Sequence, residues 1–483
     1  MQGLFSGLYK YSLSGKYYFL VSSKKFRLNT SNKFLYIFTG KGIKLLFIIK
    51  NQIVEMRKFL FALAVSGVAA CAHAQVLEEV KPEAVNMSSE RLSRIDRAIQ
   101  EYVDSSFIPG GAALIVRNGK IAYYNAFGYA DVESRKPLQR DAIFRIASQT
   151  KAITSVAVMM LYEEGRFLLD DPVSKYLPEF KKPNVIDQYN AKDTTFTTVP
   201  ANREITIRDL LTHTSGIGYA GIGSAEAKAI YAKYRIPSGI ATPEDRLSEV
   251  MGRLGSLPLF HQPGERWTYG LNTDVLGYLV EVVSGMSLDI FFQKRIFGPL
   301  GMKDTWFYLP ASTHGRLTRL HTENAARKSV PFPKVNTLDP DFPKLDGRFY
   351  SGGAGLSSTL YDYAIFLQML LQGGEYNGQR LLSPTSVRLM TSNQIGDLSI
   401  GGGRKFGLGF GLTNEADAAR LPLSVGTFDW GGAFATTYWV DPREGIVGLF
   451  FTQKYPHSHG ELATKFRVLA YQAITRLNDG AED

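Results

Sequence analysis

The sequence predicts an α+β fold: an antiparallel β-sheet built from both chain ends, with flanking helices and a large, mainly helical inserted region. Three observations support this. Runs rich in apolar, β-branched and aromatic residues lie early in the chain, at 112–117 and 120–127, and such runs return near its end, at 406–413, 433–440 and 446–453. The stretch between them has helix and loop signals. We therefore expect an α/β part at about 88–150 and 400–480 around a helical insert at about 165–395.

The first elements of the domain are marked by periodicity and turn chemistry. Apolar residues at helical spacing predict a helix over 87–105. Asn118-Gly119 separates the two early strands and favours a two-residue hairpin, because both residues tolerate positive φ. A long apolar stretch then predicts a helix from about Ser148 to Glu164, which ends at Gly165.

The later elements are predicted in the same way. Asp441-Pro442-Arg443-Glu444-Gly445 makes the turn between the last two strands. A helix from about 461 to 477 finishes the chain. Within the insert, apolar patterning and closing Gly or Pro residues predict helices at 206–212, 273–284, 288–296 and 358–372.

The first 74 residues are predicted to lie outside the fold. Residues 1–55 carry nine Lys or Arg and one acid, have no clear period, and are interpreted as a spurious upstream extension. Residues 56–74 have the basic start, the apolar stretch and the Ala-His-Ala end of a secretory signal peptide. The net charge of +10 comes from this part of the chain, and the rest is balanced. Nucleic-acid or membrane-surface binding is therefore excluded as a primary function.

The single cysteine, Cys71, leaves two forms of the protein open. Val68-Ala69-Ala70-Cys71 resembles a bacterial lipobox, which predicts a lipoprotein anchored through Cys71. The other expectation is a soluble periplasmic or secreted bacterial protein that starts at Gln75. In that form the single domain, 75–483, has no cysteine, which excludes a disulfide scaffold and thiolate catalysis.

The strongest chemical signal is Ser148-Gln149-Thr150-Lys151 at the start of an apolar helix. At helical spacing, Lys151 lies one turn from Ser148 on the same face. An adjacent amine can activate a serine hydroxyl without a histidine. Ser148 is therefore the candidate nucleophile and Lys151 its catalytic neighbour.

Two further stretches can complete such a site. Tyr269, between an aromatic-rich loop and a helix start, can act as general base toward Ser148 and return the proton to the leaving group. Trp430, Gly431 and Gly432 precede a strand, and glycines leave room for substrate there. The backbone N–H near Ala433, with that of Ser148, can form an oxyanion hole. A packed tyrosine and a simple turn with a core tryptophan are the alternative interpretations.

Together, these residues resemble the serine β-lactamase and penicillin-binding-protein family, most closely its class C-like branch and the family VIII carboxylesterases. The likeness covers about 87–477. It implies a β-lactamase/transpeptidase-like fold and catalysis through an acyl-enzyme on Ser148, with Lys151 and Tyr269 sharing the proton transfer. Other matching stretches are ITIRDLLTHTSGIGY (205–219), PGERW (263–267), IFGPLGMKDTWF (296–307), SGGAGLSST (351–359) and WVDPREG (439–445).

Two departures from the family pattern carry information. The second motif is usually Tyr-x-Asn, but here Leu271 takes the third position and Asn272 is displaced by one. The third motif of β-lactamases and peptidases begins with a cationic residue, and here Trp430 stands in that place. A lysine would attract a substrate carboxylate, whereas tryptophan offers an apolar wall. The resemblance therefore implies ester hydrolysis rather than β-lactamase or D,D-peptidase activity.

Other groups of residues give weaker functional signals. His213 is expected to order a loop rather than complete a triad, and Asp274 to start a helix at the edge of the site. His457 and His459 lack a carboxylate partner and an HExxH pattern, so no metal is expected, nor any organic cofactor. Gly401-Gly402-Gly403 is interpreted as a flexible loop. No Gly-x-Ser-x-Gly elbow follows Gln75, which argues against an α/β-hydrolase.

The sequence thus predicts an exported serine hydrolase, a carboxylesterase acting on small esters. Two alternatives stay open. One is amide hydrolysis of a β-lactam, a D-amino-acid peptide or a short oligoamide. The other is a non-catalytic protein that binds cell-wall peptide. The expected partner is a small-molecule ester or amide, without nucleic acid or an obligatory protein partner. The physiological substrate and the choice of Lys151 or Tyr269 as base stay open.

Overall fold

The computed structural model describes five strands between residues 9 and 46, and residues 76–478 apart from 241–243 and 336–337. The chain divides into two compact units, Met1–Ala74 and Gln75–Asp483. The first unit contains an antiparallel meander of five strands, β1–β5, at Tyr9–Leu13, Lys16–Val21, Lys24–Asn29, Phe34–Thr39 and Gly42–Leu46. The interpretation of 1–55 as spurious stays a prediction. The proposed signal peptide, with Cys71, lies outside the described residues.

The second unit is built on an antiparallel sheet that draws strands from both of its ends, which confirms the predicted α+β fold. Its described strands are β6 (Gly110–Arg117), β7 (Lys120–Asp131), β8 (Lys136–Pro137), β9 (Phe144–Arg145), β10 (Asn184–Asn190), β11 (Thr195–Pro200), β12 (His321–Glu323), β13 (Ser329–Pro331), β14 (Ser357–Ser358), β15 (Glu375–Tyr376), β16 (Gln379–Arg380), β17 (Lys405–Phe406), β18 (Gly411–Leu412), β19 (Phe428–Gly432), β20 (Thr436–Asp441) and β21 (Ile446–Phe451). The eight-stranded sheet has the order β17-β18-β19-β20-β21-β6-β7-β8.

The two ends of the domain meet where β21 pairs with β6, in a register that places Ile446 opposite Arg117. The β6–β7 hairpin turns at Asn118 and Gly119, whose φ angles are 49° and 75°. Two successive positive φ angles are what a type I′ turn requires, so the residue pair accounts for the hairpin.

Helices cover the sheet and form the insert. They are α1 (Ser89–Asp104), α2 (Thr150–Glu163), α3 (Ile207–Thr212), α4 (Ala225–Lys233), α5 (Leu247–Gly255), α6 (Asn272–Ser284), α7 (Leu288–Phe292), α8 (Gly298–Leu300), α9 (Leu360–Leu371), α10 (Pro384–Met390), α11 (Glu415–Ala418) and α12 (Glu461–Gln472). Helices α1 and α12 share one buried apolar cluster with one face of the sheet. Helix α9 packs against β21 and β6, and α2 packs against α6 in the insert. The α2 segment therefore lies where sheet and insert meet.

Several predicted boundaries differ from the observed ones. The strand expected at 406–413 is two short strands, β17 and β18, because Gly407 presses its backbone against the Met390 carbonyl and Gly409 has a φ of +98°. The helix expected at 288–296 is the short helix α7 followed by a π-helix, Gln293–Phe297. The helical segment then continues through Pro299 in α8. Proline is tolerated there because it occupies the first turn of α8. The insert also holds the β10–β11 hairpin, which the sequence did not predict.

Among the described residues, no single helix has the length and apolarity to cross a membrane. The segments Asn272–Ser284 and Leu288–Leu300 are long and apolar enough for this only when they are taken together, and they are separated by a bend of 79°.

Candidate active site

Ser148 lies in a single 3-10 turn, Ala147–Gln149, directly before α2. The preceding residue, Ala147, is buried and has a φ of 43°, a left-handed conformation that is uncommon for a residue with a Cβ. Strained backbone of this kind is frequent at functional sites. Ser148 itself is half-buried, so its hydroxyl is placed at the start of a helix and at the border of solvent.

Lys151 is buried beside Ser148, as its spacing predicts. Its Nζ lies 3.4 Å from Ser148 Oγ and donates a 2.8 Å hydrogen bond to the carbonyl of Gly353. The same nitrogen lies 4.6 Å from the ring centre of Tyr269 and 5.5 Å from that of Tyr219. The Lys151 side chain is thus held in place by one carbonyl and two aromatic faces.

A buried carboxylate fixes the segment that holds Lys151. Asp274 Oδ1 accepts hydrogen bonds from the Ser351 hydroxyl at 2.5 Å and from the Gly353 N–H at 3.3 Å. Burial raises the pKa of Asp274, and the hydrogen bond from Ser351 and the charge of Lys151 act in the opposite direction. Asp274 starts α6, as predicted, but it is fully buried near Lys151 rather than at the edge of the site.

Tyr269 lies on the loop before α6, with its ring next to Lys151. Its hydroxyl oxygen is 3.5 Å from Trp430 Nε1, which donates to it. Its ring stacks on Trp267 at 5.8 Å and on Tyr219 at 5.5 Å. Burial raises the pKa of Tyr219 well above its ordinary value, so that phenol stays protonated. Of the two tyrosines that face Lys151, Tyr269 is the one that also contacts Trp430.

His213 supports this loop from behind. It ends α3 in a left-handed conformation, and its carbonyl accepts the Thr268 N–H at 2.8 Å. Its Nδ1 accepts from the Asn272 amide at 2.9 Å and faces the Gly270 N–H at 3.4 Å, so the neutral ring carries its proton on Nε2. Burial first, and the charge of Lys151 second, hold the pKa of His213 well below its usual range. This geometry fits the predicted loop-ordering role.

The displaced asparagine, Asn272, also stabilises the loop that carries Tyr269. Asn272 is fully buried, and its Oδ1 accepts the Ser215 hydroxyl while its amide donates to His213. Leu271, at the usual asparagine position, is also buried. The second motif therefore presents only the tyrosine to the cleft.

Strand β19 brings the third stretch beside the nucleophile. The backbone of Gly432 lies so close to the Ile146 carbonyl and to Thr436 Oγ1 that a Cβ could not fit between them. Ala433 follows, exposed in the turn between β19 and β20. The N–H of Ser148 is in the first turn of its helix, where backbone donors lack intrahelical acceptors. The two segments predicted to donate to an oxyanion are thus neighbours.

Trp430 lies half-buried at the border between the sheet and the Tyr269 loop. Its ring meets Phe406 edge to face at 5.3 Å, Tyr269 at 5.7 Å and Trp267 at 6.5 Å. A cavity of about 680 Å³ adjoins this aromatic wall and is lined in part by Gly218 and Trp267; Ser148 is not among its lining residues.

The structure therefore gathers the predicted residues Ser148, Lys151, Tyr269 and Trp430 with the backbone of 431–433. Sequence reasoning missed the supporting roles of Tyr219, Asp274, Ser351, Gly353 and Phe406. The available signals were the matching stretches 205–219, which ends at Tyr219, and 351–359. The role of 351–359 is visible only in the structure, where the Gly353 carbonyl accepts a hydrogen bond from Lys151. Across the described ranges, no group of three or more His, Cys, Asp or Glu could hold a metal ion.

Comparisons with known proteins agree with this architecture. The beta-lactamase family model matches residues 95–472. Protein Rv1367c of Mycobacterium tuberculosis is 37% identical over 74% of this chain and 89% of the relative. Esterase EstB of Burkholderia gladioli is 30% identical over 81% of this chain and 98% of the relative. The solved structure of EstCE1, a hydrolase with promiscuous acyltransferase activity, has a TM-score of 0.67 at 28% identity and covers 79% of this chain and 99% of its own. The predicted resemblance is confirmed, and the chain belongs to the beta-lactamase family of serine hydrolases.

Proposed function

We propose that this protein is a carboxylesterase that cleaves small esters through an acyl-enzyme on Ser148. The observation that carries the proposal is the position of Lys151 Nζ, which is 3.4 Å from Ser148 Oγ, hydrogen-bonded to the Gly353 carbonyl and 4.6 Å from the ring centre of Tyr269. A hydroxyl, an amine and a phenol in one pocket can transfer a proton without a histidine.

The reaction proceeds in two steps. Ser148 Oγ attacks the ester carbonyl, and its proton passes to the Lys151–Tyr269 pair while the N–H groups of Ser148 and Ala433 bind the oxyanion. The pair then returns the proton to the alcohol oxygen as the carbon–oxygen bond breaks, which leaves the acyl group on Ser148. Water attacks this acyl-enzyme, loses a proton to the same pair, and releases the acid as Ser148 is reprotonated.

The wall next to the nucleophile favours esters over substrates with an adjacent carboxylate. At the position of Trp430, a cationic residue would attract such a carboxylate. Trp430 supplies an uncharged aromatic face instead. The neighbouring guanidinium, Arg404, is itself bonded to Asp429 at 2.7 Å, and Asp429 also accepts from Arg467 at 3.0 Å. An apolar or aromatic part of the ester is therefore proposed to lie against Trp430.

The cellular setting belongs to the same proposal. The signal-like sequence at 56–74 supports an exported protein that starts at Gln75, periplasmic or secreted, with no obligatory protein partner. A lipoprotein form anchored through Cys71 is distinguished by intact mass of the exported protein. A measured mass equal to that of a chain beginning at Gln75 supports the soluble form. A mass that corresponds to a chain beginning at a lipidated Cys71 contradicts it.

The test compares two chromogenic substrates with one purified preparation that starts at Gln75. Hydrolysis of p-nitrophenyl acetate and of a chromogenic cephalosporin is measured for the wild type, for Ser148→Ala, and for Ser93→Ala as a control on the exposed surface of α1. We expect fast ester turnover and little cephalosporin turnover, lost only in Ser148→Ala. Efficient cephalosporin turnover would instead support amide hydrolysis. If the folded protein hydrolysed neither substrate and were not labelled covalently by a fluorophosphonate, the result would favour a non-catalytic binding protein.

A further inference from the structure

A short segment of the insert, residues 237–240, reaches across the catalytic region; we name it the crossing segment. Gly239 is buried with a φ of +81°, and a Cβ added to it would lie 2.8 Å from Ser351 Oγ and 3.4 Å from Asp274 Oδ1. Its backbone therefore rests on the network that anchors Lys151, and only glycine combines this conformation with so close an approach.

The next residue, Ile240, meets the opposite side of the site. It is half-buried and packs against an apolar cluster made of Ala147, Leu320, Phe342 and Phe434. Two members of this cluster flank the proposed oxyanion donors in sequence, because Ala147 precedes Ser148 and Phe434 follows Ala433. Ile240 thus packs against the cluster that includes Ala147, the residue directly before the nucleophile.

The chemistry of the acyl-enzyme decides which part of the substrate approaches Ile240. The leaving oxygen must face Tyr269 and Lys151 to receive its proton, so the alcohol lies along the aromatic wall of Trp430. The carbonyl oxygen faces the backbone donors. The remaining substituent of the carbonyl carbon is the acyl chain. It is then expected to extend away from Tyr269, toward the cluster of Ala147 and Phe434 that Ile240 joins.

We propose that Ile240 is the end wall of the acyl site and limits the length of the acyl chain that the enzyme accepts. The proposal rests on the esterase function proposed above and names its specificity: short, apolar acyl groups. Ile240 acts by occupying space, so its substitution changes the preference among acyl chains and leaves the preference among alcohols unchanged.

The experiment measures kcat/KM for p-nitrophenyl acetate, butyrate and octanoate, which share one leaving group. Replacing Ile240 by alanine removes three carbons, and each methylene that gains a buried place is worth about fourfold. We expect Ile240→Ala to raise the octanoate-to-acetate ratio by roughly tenfold or more. Ile240→Val is expected to give an intermediate ratio and Ile240→Trp a lower one. Ile290→Ala, on the exposed surface of α7, is the matched control and keeps the wild-type ratio.

A second substrate series separates the possible outcomes. Phenyl acetate and naphthyl acetate vary the alcohol with a constant acetyl group, and their ratio is expected to be the same in wild type and Ile240→Ala. An unchanged acyl ratio in folded Ile240→Ala and Ile240→Val, or a change confined to the alcohol series, overturns the proposal. A wild type that cleaves none of these esters overturns the esterase function itself, which is a different result.

Discussion

Gly432→Ala tests whether the end of β19 must touch the nucleophile turn. An added Cβ would overlap with the Ile146 carbonyl oxygen and with Thr436 Oγ1, so the strand end and the turn have to separate. Relieving the overlap takes a shift of roughly 1 Å, and a misplacement of that size costs on the order of 10²-fold in rate. An oxyanion donor moved out of reach costs on the order of 10²- to 10³-fold. We therefore expect kcat to fall about 100-fold, or about 2.7 kcal/mol of transition-state stabilisation.

The adjacent glycine provides the matched control. A Cβ added to Gly431 would lie 3.2 Å from the Thr436 carbonyl oxygen, a tight contact that a few tenths of an ångström relieve. Gly431→Ala is therefore expected to keep kcat within about threefold, since it does not separate the strand from the turn. The assay is the steady-state hydrolysis of p-nitrophenyl acetate, with thermal melting to show that both variants fold. Wild-type kcat in folded Gly432→Ala would refute the proposed oxyanion geometry.

Three further outcomes are expected. Asp274→Asn keeps the shape of the buried group but removes its charge. Because burial raises the pKa of Asp274, a charge on this group is unfavourable in the folded protein, and we expect the variant to melt no lower than wild type. We expect kcat to fall about tenfold, because the support of the segment that holds Lys151 weakens. A lower melting temperature would contradict this expectation. Trp430→Ala is expected to lower kcat/KM for aryl esters about two- to tenfold more than for ethyl esters. Equal losses for the two ester classes would show that Trp430 does not contact the aromatic part of the substrate. Burial lowers the pKa of His321 to about 4, so the stability that its neutral form provides is lost as pH falls below about 6.5. Between pH 7.5 and 5.0, urea unfolding of His321→Gln should therefore lose about 2 kcal/mol less than wild type.

The sheet was predictable because its signals are local. Asn118 and Gly119 determine a hairpin by their own conformational preferences. The apolar and β-branched runs at both ends of the domain predict buried strands that share a core. The helix that follows Ser148 is equally local, since apolar periodicity and the closing Gly165 define it. Helix ends were less accurate: the helix predicted at 358–372 is observed at Leu360–Leu371, because Thr359 caps its start.

The supports of the site were not predictable in the same way. Asp274, Ser351 and Gly353 have no sequence pattern that pairs them, and their hydrogen bonds span more than 75 positions of the chain. Tyr219 could be placed in a matching stretch, but its position over Lys151 depends on how α3 and the loop before α6 pack. Local periodicity carries no information on such contacts, which arise when the insert closes on the sheet.

The nucleophile turn shows why the four-residue pattern at Ser148 is not sufficient by itself. Ala147 is held at positive φ, a conformation that costs on the order of 1 kcal/mol or more and persists only where the surroundings impose it. Those surroundings are distant in sequence: the Ile146 N–H donates to the Leu356 carbonyl at 3.1 Å, and the Gln149 carbonyl accepts the Tyr363 hydroxyl at 2.8 Å. The turn is thus fixed on both sides of Ser148 by the segment that also supplies the Lys151 acceptor and by α9. A chain with the same four residues but without these partners would relax the turn, and its serine would lose both the lysine and the strand beside it.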